Sequence, residues 1–161
     1  MGPDTLADFK REYAGVVARI SRAAGRWEVS DDRIAETLRA SVESWGGSAR
    51  GESRYLDSLR VDDLALAIAC AEGIPQAWDE FLPRYRPLLY AAARAISGDD
   101  SSARALADSL WAELYATEAR GEKRKPLLAY FHGRSSLATW LRAILAQRHV
   151  DAIRAARRFE P

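Results

Sequence analysis

The run Ser135-Ser136-Leu137-Ala138-Thr139-Trp140-Leu141-Arg142-Ala143-Ile144-Leu145-Ala146-Gln147-Arg148-His149-Val150-Asp151-Ala152-Ile153-Arg154 decides the fold class. Leu137, Trp140, Leu141, Ile144 and Leu145 fall at i, i+3, i+4, i+7 and i+8, the apolar stripe of an amphipathic helix. Ser135 or Ser136 suits its N-cap, and the pattern predicts a helix to about Arg158. With Trp140 as the origin of a helical wheel, Thr139, Ala143, Gln147, Arg154 and Arg157 share a second, polar-basic face away from the stripe.

Upstream the same period returns. Leu106, Leu110, Trp111, Leu114 and Tyr115 predict a helix introduced by Gly98-Asp99-Asp100-Ser101-Ser102. Trp78, Phe81, Leu82, Tyr85, Leu88, Leu89 and Ala92 predict another, from Pro75 to about Ser97, with a late start or kink at Pro83 and Pro87. Asp62-Asp63 opens a short apolar helix, Leu64 to Ala71, closed by Gly73. Further upstream, Asp4 to Ala24 and Ser30 to Trp45 read as two amphipathic helices, and Gly46 to Ser53 as a linker. Strand-favouring residues are sparse, so the chain is expected to be all-α.

The remaining chemistry excludes several classes. One cysteine, Cys70, and two histidines among 161 residues make neither a disulfide nor a zinc cage. No phosphate-cradling glycine loop precedes a helix, and His149 and Asp151 point to different sides of theirs. Asp62-Asp63 and Asp99-Asp100 fit helix caps better than metal ligands. The expectation is a non-enzyme without metal or cofactor. No apolar run is long enough to span a membrane and the N-terminus lacks an export-type apolar stretch, which together predict a cytoplasmic protein.

Charge is distributed unevenly. The whole chain has 24 Lys+Arg and 23 Asp+Glu, but residues 120–161 hold ten basic and three acidic side chains, a local +7 against −6 elsewhere. Within this end, Arg120, Lys123, Arg124 and Lys125 precede Tyr130, Phe131, His132, Gly133 and Arg134. Cations interleaved with rings suit a single nucleic-acid strand, whose backbone the cations follow while rings stack on bases. The N-terminal amides of the final helix, with Ser135 and Ser136, are expected to receive a phosphate. The plain alternative is a loop whose aromatics pack inward and whose arginines are solvated.

The segment Phe131 to Arg154 also resembles the pattern F…G…L..WL..I..N..ID..R of bacterial RNA polymerase sigma factors, nearest to the extracytoplasmic-function type. Asp63-Leu64-Ala65 to Gly73, then Ala77-Trp78, Phe81 and Tyr85-Arg86-Pro87-Leu88-Leu89-Tyr90, resembles the first helices of that family's second region. Ala103 to Tyr115 resembles its polymerase-binding helix. The resemblance spans about residues 61–158. It implies a compact helical bundle of the region 2 type over 61–161, with residues 1–60 as a helical N-terminal extension.

The resemblance further implies docking on the clamp coiled coil of the polymerase core through Ala105, Asp108, Ser109, Ala112 and Glu113. It implies capture of the non-template strand of a promoter's minus-ten element by Lys123, Arg124, Tyr130, Phe131, His132, Arg134, Ser135, Ser136, Thr139, Ala143, Gln147 and Arg154. An anti-sigma factor is a further implied partner. Two departures stand out: Ala105, Asp108 and Ser109 replace the family's usual Asp, Gln and Glu, and Gln147 replaces its Asn. The first opens an alternative, a sigma-like interaction or regulatory module that has lost core binding. Factors of this type also carry a helix-turn-helix domain, and Phe159-Glu160-Pro161 resembles the start of the linker to it, which suggests a fragment. Residues 1–60 are expected to pack on the sigma-like part; their nearly balanced charge gives no electrostatic drive for inhibition by competition at the basic surface.

Overall fold

A computed structural model describes residues 3–115 and 125–159. Among the described residues there are eight α-helices and no strand: α1 (Leu6–Glu12), α2 (Ala14–Ala23), α3 (Asp31–Trp45), α4 (Ala49–Ser58), α5 (Val61–Ala71), α6 (Pro75–Ser97), α7 (Asp100–Tyr115) and α8 (Leu137–Arg158). Short 3-10 turns occupy Gly25–Trp27 and Leu127–Tyr130. The chain is therefore all-α. It divides into two compact units, residues 1–78 with 128–137, and residues 79–127 with 138–161. This division differs from the expected segments 1–60 and 61–161, because α5 and the turn before α8 belong with the N-terminal helices.

In the first unit α5 is the centre. Every side chain from Leu64 to Cys70 is buried, so the helix is apolar all round and must be enclosed. Helices α2 and α3 pack on it, and α1 packs on α3. Phe9, Val17, Ile20, Ile34 and Leu38 supply their buried faces. Ser30 caps α3 by accepting the Arg33 amide at 3.2 Å, and Gly46 ends it in the left-handed conformation.

Three local expectations are corrected. The helix predicted from Asp4 starts after Thr5, whose hydroxyl accepts the Asp8 amide at 3.1 Å, and it is interrupted at Tyr13. Tyr13 stacks on Phe9 with centroids 4.3 Å apart, and its hydroxyl donates to Glu52 at 2.5 Å. Burial, reinforced by Glu52, pushes the Tyr13 phenol well above its ordinary pKa. The linker predicted over Gly46–Ser53 contains the first turns of α4, driven by Tyr55 and Leu56, which bury just beyond that window. Gly47 is required there: a Cβ on it would fall 2.2 Å from the Trp45 ring, which lies over the backbone and stacks on Tyr55 at 4.8 Å. Finally, α5 begins at Val61 and not at Leu64.

The second unit is built on facing helical rows. Phe81, Tyr85, Leu89 and Ala93 recur every fourth residue of α6 and are buried, as are Leu106, Leu110 and Leu114 of α7 and Leu141 and Leu145 of α8. The Phe81 ring meets Tyr85 at 4.8 Å and Trp111 edge-on at 5.9 Å. Helix α6 continues through Pro83 and Pro87. Both prolines are exposed, where water can take the carbonyls they leave unbonded. Asp99 caps α7 by accepting the Ser102 amide at 2.8 Å.

Candidate nucleic-acid interface

The turn between residues 128 and 136 is held by the first unit. Leu128 and Phe131 are buried in it, Phe131 to 1% exposure. Phe131 was expected to stack on a base; in this conformation it is a core ring, and Tyr130, 52% exposed, is the aromatic that faces water. Gly133 has φ +77, and its carbonyl accepts the Arg60 amide at 2.8 Å. A side chain there would strain the backbone, while its Cβ would meet Leu64 at 3.4 Å, about van der Waals contact.

Polar groups complete the fastening. Ser41, fully buried, donates its hydroxyl to the His132 carbonyl at 3.0 Å and lies 2.5 Å from the Tyr55 hydroxyl. The Arg134 Nε donates to the same Tyr55 oxygen at 3.2 Å, with its guanidinium 5.8 Å from the ring centroid. Arg134 is exposed, so it is tethered along its length and still reaches the surface.

At the turn's end, the expected phosphate site is altered. The Leu137 amide, first of α8, donates to the Asp63 carboxylate at 2.8 Å, and Ser135 donates its hydroxyl to the Ser136 carbonyl at 3.1 Å. A carboxylate at a helix N-terminus already supplies the negative charge that site favours, and it opposes a phosphate at that amide. Asp63, read from sequence as a cap of its own helix, thus caps a remote one. Lys123 and Arg124 lie outside the described residues.

Within the second unit, Thr139, Ala143 and Gln147 are exposed and follow one another at four-residue steps on α8; Arg154 continues their side of the helix and is exposed too. The Gln147 amide donates to Asp151 at 3.0 Å, which fixes its orientation. From Val150 to Phe159 every residue is exposed, including Val150 and Ile153 at 40% each. An oriented amide on a row edged by arginines has the donor and acceptor set for a base edge and the charge for phosphates.

The expected polymerase-facing residues, Ala105, Asp108, Ser109, Ala112 and Glu113, are all exposed on α7. Two are engaged internally. Ser109 donates to its own helix at the Leu106 carbonyl, 2.8 Å away, and Glu113 pairs with Arg148. Burial depresses the Arg148 pKa, and its Nε finds no hydrogen-bond partner among the described residues. Asp108 also lines an open groove of about 770 Å³ with Pro83, Arg86, Tyr90, Arg104 and Trp111.

Sequence reading missed Ser41 and Tyr55 as supports of the turn. The trace was present in Tyr55-Leu56 and Leu59, an apolar spacing hidden behind the small, polar residues before it. Among the described residues, no group of three or more His, Cys, Asp or Glu side chains converges to hold a metal ion, and no helix is long and apolar enough to cross a membrane. No protein-family model, curated protein or solved structure matches the chain.

Proposed function

We propose that the chain is a promoter-recognition subunit of the sigma type, with the region 2 fold, that joins the polymerase core and captures single-stranded non-template DNA of the minus-ten element. The observation that carries this reading is the exposed row Thr139, Ala143 and Gln147, with the Gln147 amide aligned by Asp151 and with Arg142 and Arg154 on the same helix. Tyr130 adds an exposed ring for a base, and Arg134 a cation near it in sequence. Stacking contributes about 1–3 kcal/mol per base, enough to offset the few kcal/mol needed to unstack one from a duplex.

The test is a salt titration of binding to a fluorescent single-stranded oligonucleotide carrying promoter-like sequence. Affinity falls steeply as salt rises if phosphates are neutralised. Affinity independent of salt, or no binding with core polymerase present, refutes the reading. The engagement of Glu113 by Arg148 favours one rival, a sigma-like interaction module without core binding, because that carboxylate is then occupied within the chain. Core polymerase capture separates the two.

A further inference from the structure

The hydrogen bonds around Tyr55 form a directed circuit that leaves the 128–136 turn and returns to it. The Ser41 hydroxyl donates to the His132 carbonyl at 3.0 Å. The Tyr55 hydroxyl lies 2.5 Å from the Ser41 hydroxyl and donates to the Ser41 carbonyl at 3.2 Å, so the two residues are joined twice. The Tyr55 oxygen is left to accept from the Arg134 Nε. Read in order, Arg134 donates to Tyr55, Tyr55 to Ser41, and Ser41 to His132. The guanidinium charge strengthens the first bond.

Both intermediates come from outside the resemblance: Ser41 lies on α3 and Tyr55 on α4. The Trp45 ring stacks on Tyr55 nearly parallel, at an interplanar angle of 12°, and limits where the phenol can go. We infer that Tyr55 is a positioning residue: with Ser41 it sets the direction of the chain at His132 and holds Arg134 at the surface, so that α3 and α4 are a template for the nucleic-acid-contacting turn. This rests on the proposed DNA-binding reading for its functional consequence, and on the geometry alone for the positioning.

The experiment compares the full chain with Tyr55→Phe, Ser41→Ala, Arg134→Ala and the Tyr55→Phe/Arg134→Ala pair, using hydrogen exchange and binding of a fluorescent single-stranded oligonucleotide. Tyr55→Phe keeps the ring on Trp45, so the fold persists. Its amides over residues 131–136 should exchange about tenfold faster, those of α5 should not change, and oligonucleotide affinity should drop about fivefold. Ser41→Ala, cutting the circuit at its other end, should accelerate the same amides.

Because part of its effect passes through Arg134, Tyr55→Phe and Arg134→Ala together should cost less than the sum of the single losses; a role confined to general stability would give additive losses. Unchanged exchange over 131–136 in Tyr55→Phe overturns the inference, and so do additive losses. If the wild-type chain binds no oligonucleotide, the DNA-binding reading fails and the exchange comparison alone decides the positioning.

Discussion

The carboxylate of Asp63 accepts the amide hydrogen of Leu137 at 2.8 Å, across 74 positions of sequence. One acid on α5 therefore sets where α8 begins. Gly133, four residues earlier, is tied to Arg60 just before α5. The ends of the turn are thus fixed on either side of one short stretch, residues 60–63.

Asp63→Ala removes this cap and should lower stability by about 1 kcal/mol, as loss of a helix N-cap does. Asp63→Asn keeps an acceptor and should lose less. Denaturant midpoints at neutral pH check both; equal midpoints for Asp63→Ala and wild type contradict the capping role.

Gly133→Ala should destabilise by about 1 kcal/mol or more, since the residue sits at φ +77, where a Cβ is strained. The same change at Gly15, which has open space and no positive φ, should be stabilising or neutral. Thermal melting of the two variants distinguishes a strained turn from a general preference for glycine.

Base reading and backbone attraction separate by mutation. Gln147→Ala should alter preference at one base position by about 1–3 kcal/mol, whereas Lys123→Ala should weaken all sequences alike. Asp151→Ala, which frees the Gln147 amide, should shift the same preference as Gln147→Ala and in the same direction. Competition among oligonucleotides differing at single positions provides the measurement.

Acid should unlock α7. The Ser102 backbone amide, followed by its hydroxyl, holds the Asp99 carboxyl below its ordinary value of 3.8. A lowered folded-state pKa contributes stability that is complete above 3.8 and disappears as pH falls through the lowered value. The stability difference between wild type and Asp99→Asn should therefore be present at about pH 6 and absent at about pH 2. A difference that persists in acid contradicts the assignment.

Much of the fold is legible because helix ends carry local chemistry. Ser30, Gly46, Gly73, Gly98 and Asp99 each sit where a cap or a left-handed residue is needed, and the apolar rows of α6, α7 and α8 repeat at helical spacing. What escapes is chemistry whose partner lies far along the chain. Asp63 looks like any acid near a helix start, and nothing adjacent shows that its hydrogen bond goes to Leu137. Phe131 looks like an exposed stacking ring because its neighbours are basic, yet it is 1% exposed, and nothing adjacent in sequence announces that. Tyr55 stands just past a run of glycine and serine, so composition over that window hides the helix it anchors. The shared exposed face of Thr139, Ala143 and Gln147 was legible because it lies on one helix, and the candidate turn was obscured because remote side chains shape it.

The most direct test of the central claim is core-dependent binding of a fluorescent non-template minus-ten oligonucleotide, measured by anisotropy with core polymerase captured on the tagged chain. The account predicts that the chain retains core and that the assembly binds this strand more tightly than its complement, with affinity falling as salt rises. Failure to retain core, or equal binding of both strands, would contradict it.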